Sequence, residues 1–336
     1  MKIAVDAMGG DHAPEAIVFG TVQAAPDVDG ELLLVGKESA IREAYPARLP
    51  ENVRVIEATE VIEMHEAPVE ALRRKKDSSL VVAANLVMQG EAEAMVSAGN
   101  TGAAAAAAHM MWKCIPNISR PAIATVFPSK TGRFVVLDSG ATPDAGVQNL
   151  VEFALMGSAY AEAVLGIQKP RIALLNIGEE ETKGNALTKQ AYKALKSAFP
   201  EFIGNIEGKS LFKGEADVVV CDAFVGNVVL KTAQGIGDFF WYMIRDALEK
   251  RPMMKVLLGP ILKATFSDIK RKTDYAEYGG APLLGVNGMC FICHGHSNAK
   301  AIKNAILFAR RGVQRHLTDI IAERARRLHA EEPEYV

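Results

Sequence analysis

Several features are missing from this 336-residue chain, and each absence excludes a class of chemistry. Lys and Arg number 38 against 40 Asp and Glu, a formal net charge of −2. The lack of a basic excess argues against a dedicated nucleic-acid binder. No run of about 18 uninterrupted apolar residues exists, so no membrane span is expected. Met1-Lys2-Ile3-Ala4-Val5-Asp6 has no basic region leading into a long apolar run, so no signal peptide is expected. The four cysteines are then expected to be reduced thiols. No G-x-x-x-x-G-K-[ST] occurs, and no G-x-G-x-x-G follows the first β-type run. A nucleotide kinase and an ordinary dinucleotide dehydrogenase are disfavoured. G-x-S-x-G is absent too, since Ser97 has glycine only on its C-terminal side, at Gly99.

What is present is an ordinary globular composition, 49% hydrophobic and 23% charged, with a repeated local pattern. The pattern centres on Ser97-Ala98-Gly99-Asn100-Thr101-Gly102-Ala103. An apolar run, Ala92–Val96, precedes it, and an alanine run, Ala103–Ala108, follows. This predicts a strand, a glycine loop and a helix capped by Asn100 or Thr101. The open end of such a helix offers unpaired N–H groups to a phosphate or carboxylate; the alternative is a plain βα turn. Lys2–Val5, then Asp6-Ala7-Met8-Gly9-Gly10-Asp11-His12-Ala13-Pro14, then Glu15–Ala25 repeats the unit. Its aspartates and histidine suit either catalysis or turn formation. Similar loops close the runs ending at Leu137, Leu175 and Val220. Leu32–Gly36 and Val53–Ile56 add buried strands, and the βαβαβ order predicts a parallel sheet covered on both faces. Ala122–Phe127 and Phe134–Leu137 read as a hairpin that adds antiparallel strands. In open sheets of this kind, ligands bind beyond the carboxyl ends of the strands.

Three further stretches carry competing readings. Arg73-Arg74-Lys75-Lys76 is either a solvated helix face or a docking patch for an acidic partner. Phe239–Lys272 is aromatic and apolar with basic flanks. It suits an amphipathic helical pair on an anionic membrane surface, a hairpin in a dimer interface, or both. Cys290-Phe291-Ile292-Cys293-His294 spells a C-x-x-C-H motif. A buried strand, however, puts Cys290 and Ile292 on one face, and no second ligand pair exists in the chain. No metal is therefore expected. His294-Gly295-His296-Ser297 lies at that strand's end, within reach of the site. A long helix or a pair of helices is expected over Asn298–Ile321.

Taken in order, Asp6-Ala7-Met8-Gly9-Gly10-Asp11, Ser97–Ala103, Asn176-Ile177-Gly178, Lys183-Gly184-Asn185, Phe224-Val225-Gly226-Asn227 and Tyr278-Gly279-Gly280-Ala281 resemble the bacterial phosphate acyltransferases of phospholipid synthesis. The resemblance runs to about residue 320. Ala223 stands where the family usually has Gly, and Thr142 where it usually has Asn. The resemblance implies a single domain over residues 1–336, with the amphipathic hairpin at 236–272. It also implies a three-layer α/β/α sandwich with a mostly parallel mixed sheet, like isocitrate and isopropylmalate dehydrogenases. The implied reaction joins inorganic phosphate to the acyl group of a fatty acyl-acyl carrier protein, giving acyl phosphate and free carrier protein. No cofactor is implied. The implied protein is a cytoplasmic homodimer, peripheral on the inner face of the cell membrane, that hands acyl phosphate to a membrane glycerol-3-phosphate acyltransferase. The alternatives are a phosphotransacetylase-like enzyme using acyl-coenzyme A and a non-catalytic scaffold for lipid enzymes.

Phosphate is already an anion and a competent nucleophile at neutral pH, so this reaction needs positioning more than deprotonation. Ser97, Gly99, Asn100, Thr101 and Gly102 are the expected phosphate cradle. Asp11, Asn176, Gly178 and Gly226 are the expected remainder of the substrate site. Lys183 is the expected cation offsetting charge repulsion, and Asn227 the expected oxyanion donor. Asp6 and His12, with Asp11, are expected to orient Lys183 or to protonate the departing thiolate. The basic patch that receives the acidic carrier protein is either Arg73–Lys76 or Lys270-Arg271-Lys272.

Overall fold

The computed structural model describes residues 1–250 and 275–331. Where one mixed sheet was expected, the strands divide between two. The first has seven strands in the order β3-β2-β1-β4-β12-β11-β5. These are β1 Lys2–Asp6, β2 Glu31–Gly36, β3 Val53–Glu57, β4 Ala94–Ser97, β5 Ala122–Ile123, β11 Ala281–Leu284 and β12 Met289–Ile292. The pairs among β3, β2, β1, β4 and β12 are parallel, and β11 and β5 add antiparallel pairs at one edge. The second sheet has five strands in the order β6-β7-β10-β8-β9. These are β6 Thr125–Ser129, β7 Gly132–Leu137, β8 Ile172–Asn176, β9 Phe202–Glu207 and β10 Val218–Val220. Only its β6–β7 hairpin is antiparallel, turning between Ser129 and Gly132.

The inner strands β1, β2, β8 and β10 are buried on both faces, which is why they read as near-continuous apolar runs, whereas the edge strands β3, β6 and β9 are only partly buried. Side chains alternate between faces with period two. Ile3 and Val5 of β1, and Leu32 and Leu34 of β2, join one core cluster, while Ala4, Leu33 and Val35 join the other. The first of these clusters continues into the second sheet through Leu137, Phe153, Leu174 and Val218. Burying one Leu or Ile side chain contributes about 1.5–3 kcal/mol, so this shared cluster is a large part of the fold's stability.

The glycine loops that matter sit at the carboxyl ends of β1, β4, β7, β8, β10 and β12, each feeding a helix or a turn. Helix α5, Thr101–Trp112, lies on the first sheet through Ala103, Ala104, Ala107 and Ala108, all fully buried. Small side chains let this helix approach the sheet closely. Its amino end is capped by Asn100, whose Oδ1 accepts from the Ala103 N–H at 3.0 Å. Helix α8, Ala223–Glu249, leaves the end of β10. The C-terminal expectation resolves as a pair, Ala299–Gln314 and Leu317–Glu331.

Candidate active site

Two buried aspartates organise the two groups of loops. Asp6 ends β1 and is 1% exposed. Its carboxylate accepts from Ser79 Oγ at 2.6 Å and from Ser97 Oγ at 2.7 Å. Burial pushes its pKa up, and these hydroxyls pull it back in part. Ser97 Oγ in turn accepts from the Gly99 N–H at 3.1 Å. Gly9 and Gly99 meet backbone to backbone, since a β-carbon on Gly9 would lie 2.7 Å from the Gly99 nitrogen. Hence the close approach of the β1 and β4 loops requires glycine at position 9. The β12 loop joins them: the Asp11 N–H donates to Gly295 O at 2.7 Å, and the Cys293 N–H to Ser97 O at 2.8 Å. Asp6, Asp11, Ser97, Gly99, Asn100, Thr101 and Gly102 are thus brought together. Asp11 and His12 are exposed at the rim of an open groove shared with Glu15, Phe19 and Asn298.

Asn100 does more than cap. Its Nδ2 donates to the carbonyls of Glu63, Met64 and Glu66, so both ends of its amide are occupied. The segment it grips is pinned again from α3, Pro68–Arg74, and the residue after it: Arg74 and Lys75 each reach Glu66 at 2.5 Å. Lys75, the Glu63 backbone N–H and Arg74 together hold the Glu66 carboxyl down at about 2. The N–H groups of Asn100, Thr101 and Gly102 remain without an acceptor among the described residues. They make up the positive amino end of α5.

Asp138, at the end of β7, is 0% exposed and organised differently. Its carboxylate accepts from the backbone N–H groups of Ile123, Gly140, Ala141 and Thr142, the last at 2.6 Å. Gly226 presses on the Asp138 carbonyl with no room for a side chain. Thr142 and Ala223, the two positions expected to depart from the pattern of the resembled family, are in contact. The Ala223 N–H donates to Thr142 O at 3.2 Å, and Thr142 Oγ1 donates to Pro121 O at 3.0 Å.

Beside these loops, Asn176 at the end of β8 donates from Nδ2 to Lys183 O at 3.2 Å, and its Oδ1 accepts from the Ile177 N–H. Asn176 therefore shapes the loop that carries Lys183. A β-carbon on Gly178 would lie 2.7 Å from Lys183 Cγ, so the lysine side chain runs over that glycine. Lys183 and Asn227 are both exposed, and β8 and β10, which lead to them, are neighbours.

The two halves are bridged by residues outside the expected set. Gln234 on α8 lies 3.1 Å from His294 Nε2 through its own Nε2. The His294 ring stacks on His296 at 5.3 Å. Burial, with His296 and Lys231 nearby, pulls the His294 pKa down to about 4, so the ring is neutral at physiological pH. Sequence reasoning placed His294 near the site but missed Ser79, Lys231 and Gln234. Alternation on β12 is as expected: Cys290 joins one core cluster and Cys293 another, on the opposite face. Burial pushes the Cys293 thiol up to about 12. The second basic cluster, Lys270-Arg271-Lys272, and the far half of the 236–272 hairpin lie outside the described residues.

Residues 1–319 match the family model described as fatty acid synthesis protein. A phosphate acyltransferase of Desulfitobacterium hafniense is 52% identical over 317 residues, covering 94% of both chains. That of Heliobacterium modesticaldum is 52% identical over 327 residues, covering 96% of this chain and 97% of its own. The chain belongs to the phosphate acyltransferase family. Among solved structures, a phosphotransacetylase from Streptococcus pyogenes superposes with a TM-score of 0.65 at 20% identity, covering 94% of each chain. A 4-hydroxythreonine-4-phosphate dehydrogenase from Klebsiella pneumoniae gives 0.53 at 15% identity, covering 94% and 98%. At that identity the likeness speaks for the fold alone, and it places the family's α/β architecture beside both phosphotransacetylases and dehydrogenases.

Proposed function

We infer that this protein transfers the fatty acyl group of an acyl-acyl carrier protein to inorganic phosphate. The observation that carries the reading is the row of open N–H groups at Asn100, Thr101 and Gly102, beside a loop that Asp6 holds in place through Ser97. Phosphate binds there by backbone donation and the helix dipole. A phosphate oxygen attacks the thioester carbonyl, a C–O bond forms, and the tetrahedral oxyanion collapses with C–S cleavage. The products are acyl phosphate and the carrier's thiolate, which takes up a proton. Asn227 donates to the oxyanion, and Lys183 offsets repulsion between the two anions. Asp6 works through the Ser97 hydroxyl, its bonding partner. Asp11 and His12, exposed at the rim, are the groups available to protonate the leaving thiolate. Asn176, Gly178 and Gly226 shape the loops that carry Lys183 and Asn227.

The finer setting belongs to the same reading. Ile236, Phe239, Phe240, Tyr242 and Met243 of α8 are all exposed. No described helix is long and apolar enough to cross a membrane. An exposed aromatic stripe of this kind suits a peripheral contact with the inner face of the cell membrane, a homodimer contact, or both. From a membrane surface, acyl phosphate passes directly to a glycerol-3-phosphate acyltransferase. Arg73 and Lys76 are the cations of the first basic run left for an acidic carrier, since Arg74 and Lys75 bind Glu66.

The test is to mix purified protein with palmitoyl-acyl carrier protein and phosphate, then follow release of carrier thiol and formation of acyl phosphate. Phosphate-dependent turnover with little on palmitoyl-coenzyme A is the expected result. Turnover on the coenzyme A thioester alone would move the reading to a phosphotransacetylase, and no turnover on either would leave a scaffold. Cosedimentation with anionic vesicles, lost on Phe239→Glu with Phe240→Glu, tests the membrane contact.

A further inference from the structure

The chemistry above uses the first turn of α8 through Asn227 and leaves the next two turns without a role. Asn227, Lys231 and Gln234 stand at i, i+4 and i+7, a single stripe of that helix. The stripe faces the loops of the other sheet, because Gln234 meets His294 there at 3.1 Å. The other end of the same amide, Oε1, accepts from Lys231 Nζ at 3.4 Å. An amide that donates at Nε2 is left with Oε1 to accept, so the two contacts fix one orientation of Gln234.

Lys231 forms no ion pair among the described residues. Lys75, Lys196, Lys209 and Lys213 each have a carboxylate within 4.0 Å. A lysine steadied by a neutral amide keeps its full charge available to an anion. Two further bonds connect its bracket to the cradle. Next to His294, the Cys293 N–H donates to Ser97 O, and Gly295 O accepts from the Asp11 N–H. The neutral His294 ring adds no competing charge. A compact ammonium on a flexible stem suits a phosphate that must also be released as product.

We propose that Lys231 is a phosphate-binding cation of this site, and that Gln234 and His294 are its positioning residues. The proposal deepens the acyl-transfer reading and rests on it for the identity of the anion.

The experiment compares the full-length wild type with Lys231→Ala, Lys231→Arg and Gln234→Ala. Labelled inorganic phosphate is bound by equilibrium dialysis. KM for phosphate, KM for palmitoyl-acyl carrier protein and kcat are measured alongside. Lys231→Ala should weaken phosphate binding and raise its KM tenfold or more, with the carrier-protein KM within twofold. Lys231→Arg should recover most of the loss. Gln234→Ala should raise the phosphate KM about threefold, because the lysine stays but is no longer held. Unchanged melting temperatures exclude a folding effect. Phosphate affinity within twofold of wild type in Lys231→Ala would overturn the proposal, as would equal rises in both KM values. Wild type that binds phosphate without turning over would refute the acyl-transfer reading, and the dialysis comparison would still decide Lys231.

Discussion

The carboxyl ends of the two sheets solve the same problem in opposite ways. Each places a fully buried aspartate at the end of a strand and wraps a polar loop around it. Asp138 is saturated by backbone N–H groups from Ile123, Gly140, Ala141 and Thr142. Asp6 is held chiefly by the hydroxyls of Ser79 and Ser97. The difference decides what each loop can do. A carboxylate that consumes backbone donors leaves a closed loop with nothing to offer an anion. A carboxylate held by hydroxyls leaves the N–H groups of the neighbouring loop open, here at the amino end of α5. In the proposed reaction the second sheet contributes by side chain instead, through the exposed Lys183 and Asn227 on its rim.

That comparison is broken most severely by removing those side chains. Lys183→Ala and Asn227→Ala should each lower kcat by about 10²–10³, the usual cost of losing a group that stabilises a developing oxyanion. Both residues are exposed, so the melting temperatures should hold. Wild-type kcat in either variant would remove that residue from the mechanism. The next effect is on stability. Asp138→Asn puts an amide NH2 against backbone N–H donors and strands at least one of them, a loss of about 3 kcal/mol in denaturant unfolding. Asp6→Asn should cost less, about 1 kcal/mol, because a serine hydroxyl can turn and accept where it had donated. Burial raises the pKa of both Asp6 and Asp138 in the folded state, so at each site the ionised form opposes folding. Stability linked to each group is full below the ordinary carboxylate range and falls as pH rises through the raised value. Asparagine removes that penalty at both sites, so the difference between them rests on the donors that each loses. Equal losses at the two aspartates would contradict the distinction drawn between them.

The smallest expected effect concerns the latch on the cradle. Glu66 titrates at about 2 in the folded protein, below the ordinary glutamate value of about 4.3. Its contribution is therefore present above about 4.3 and lost as pH falls through about 2. The difference in melting temperature between wild type and Glu66→Gln should be widest near pH 7 and narrow steadily below pH 5. A difference that ignores pH would mean that the ion pairs to Lys75 and Arg74 contribute nothing.

Local features were legible in the sequence, and long-range ones were not. The alanine run and the Asn-Thr-Gly turn before it announce α5 and its cap, because propensity and capping act within one helical turn. Alternation on β12 separates Cys290 from Cys293 for the same reason. Nothing local says that the strands divide into two sheets, since strand order depends on pairing between distant segments. Ser79 meets Asp6 across 73 residues and Gln234 meets His294 across 60, with no periodicity to mark either contact. The basic run Arg73–Lys76 looked free in sequence because its counter-ion, Glu66, lies on the far side of a turn. Thr142 and Ala223 look independent in sequence, yet they share one hydrogen bond.

The central claim is that the open N–H groups at the start of α5 hold the phosphate. Thr101→Pro tests it most directly. Proline suits the first position of a helix, and Asn100, with ψ of 110°, already has the extended backbone that a following proline needs. The substitution therefore deletes one donor and keeps the helix. In phosphate-dependent thiol release from palmitoyl-acyl carrier protein, the phosphate KM should rise roughly tenfold or more, the loss expected for one charge-assisted hydrogen bond. The carrier-protein KM and the melting temperature should stay put. A phosphate KM equal to wild type, in a variant that folds and turns over, would contradict the account.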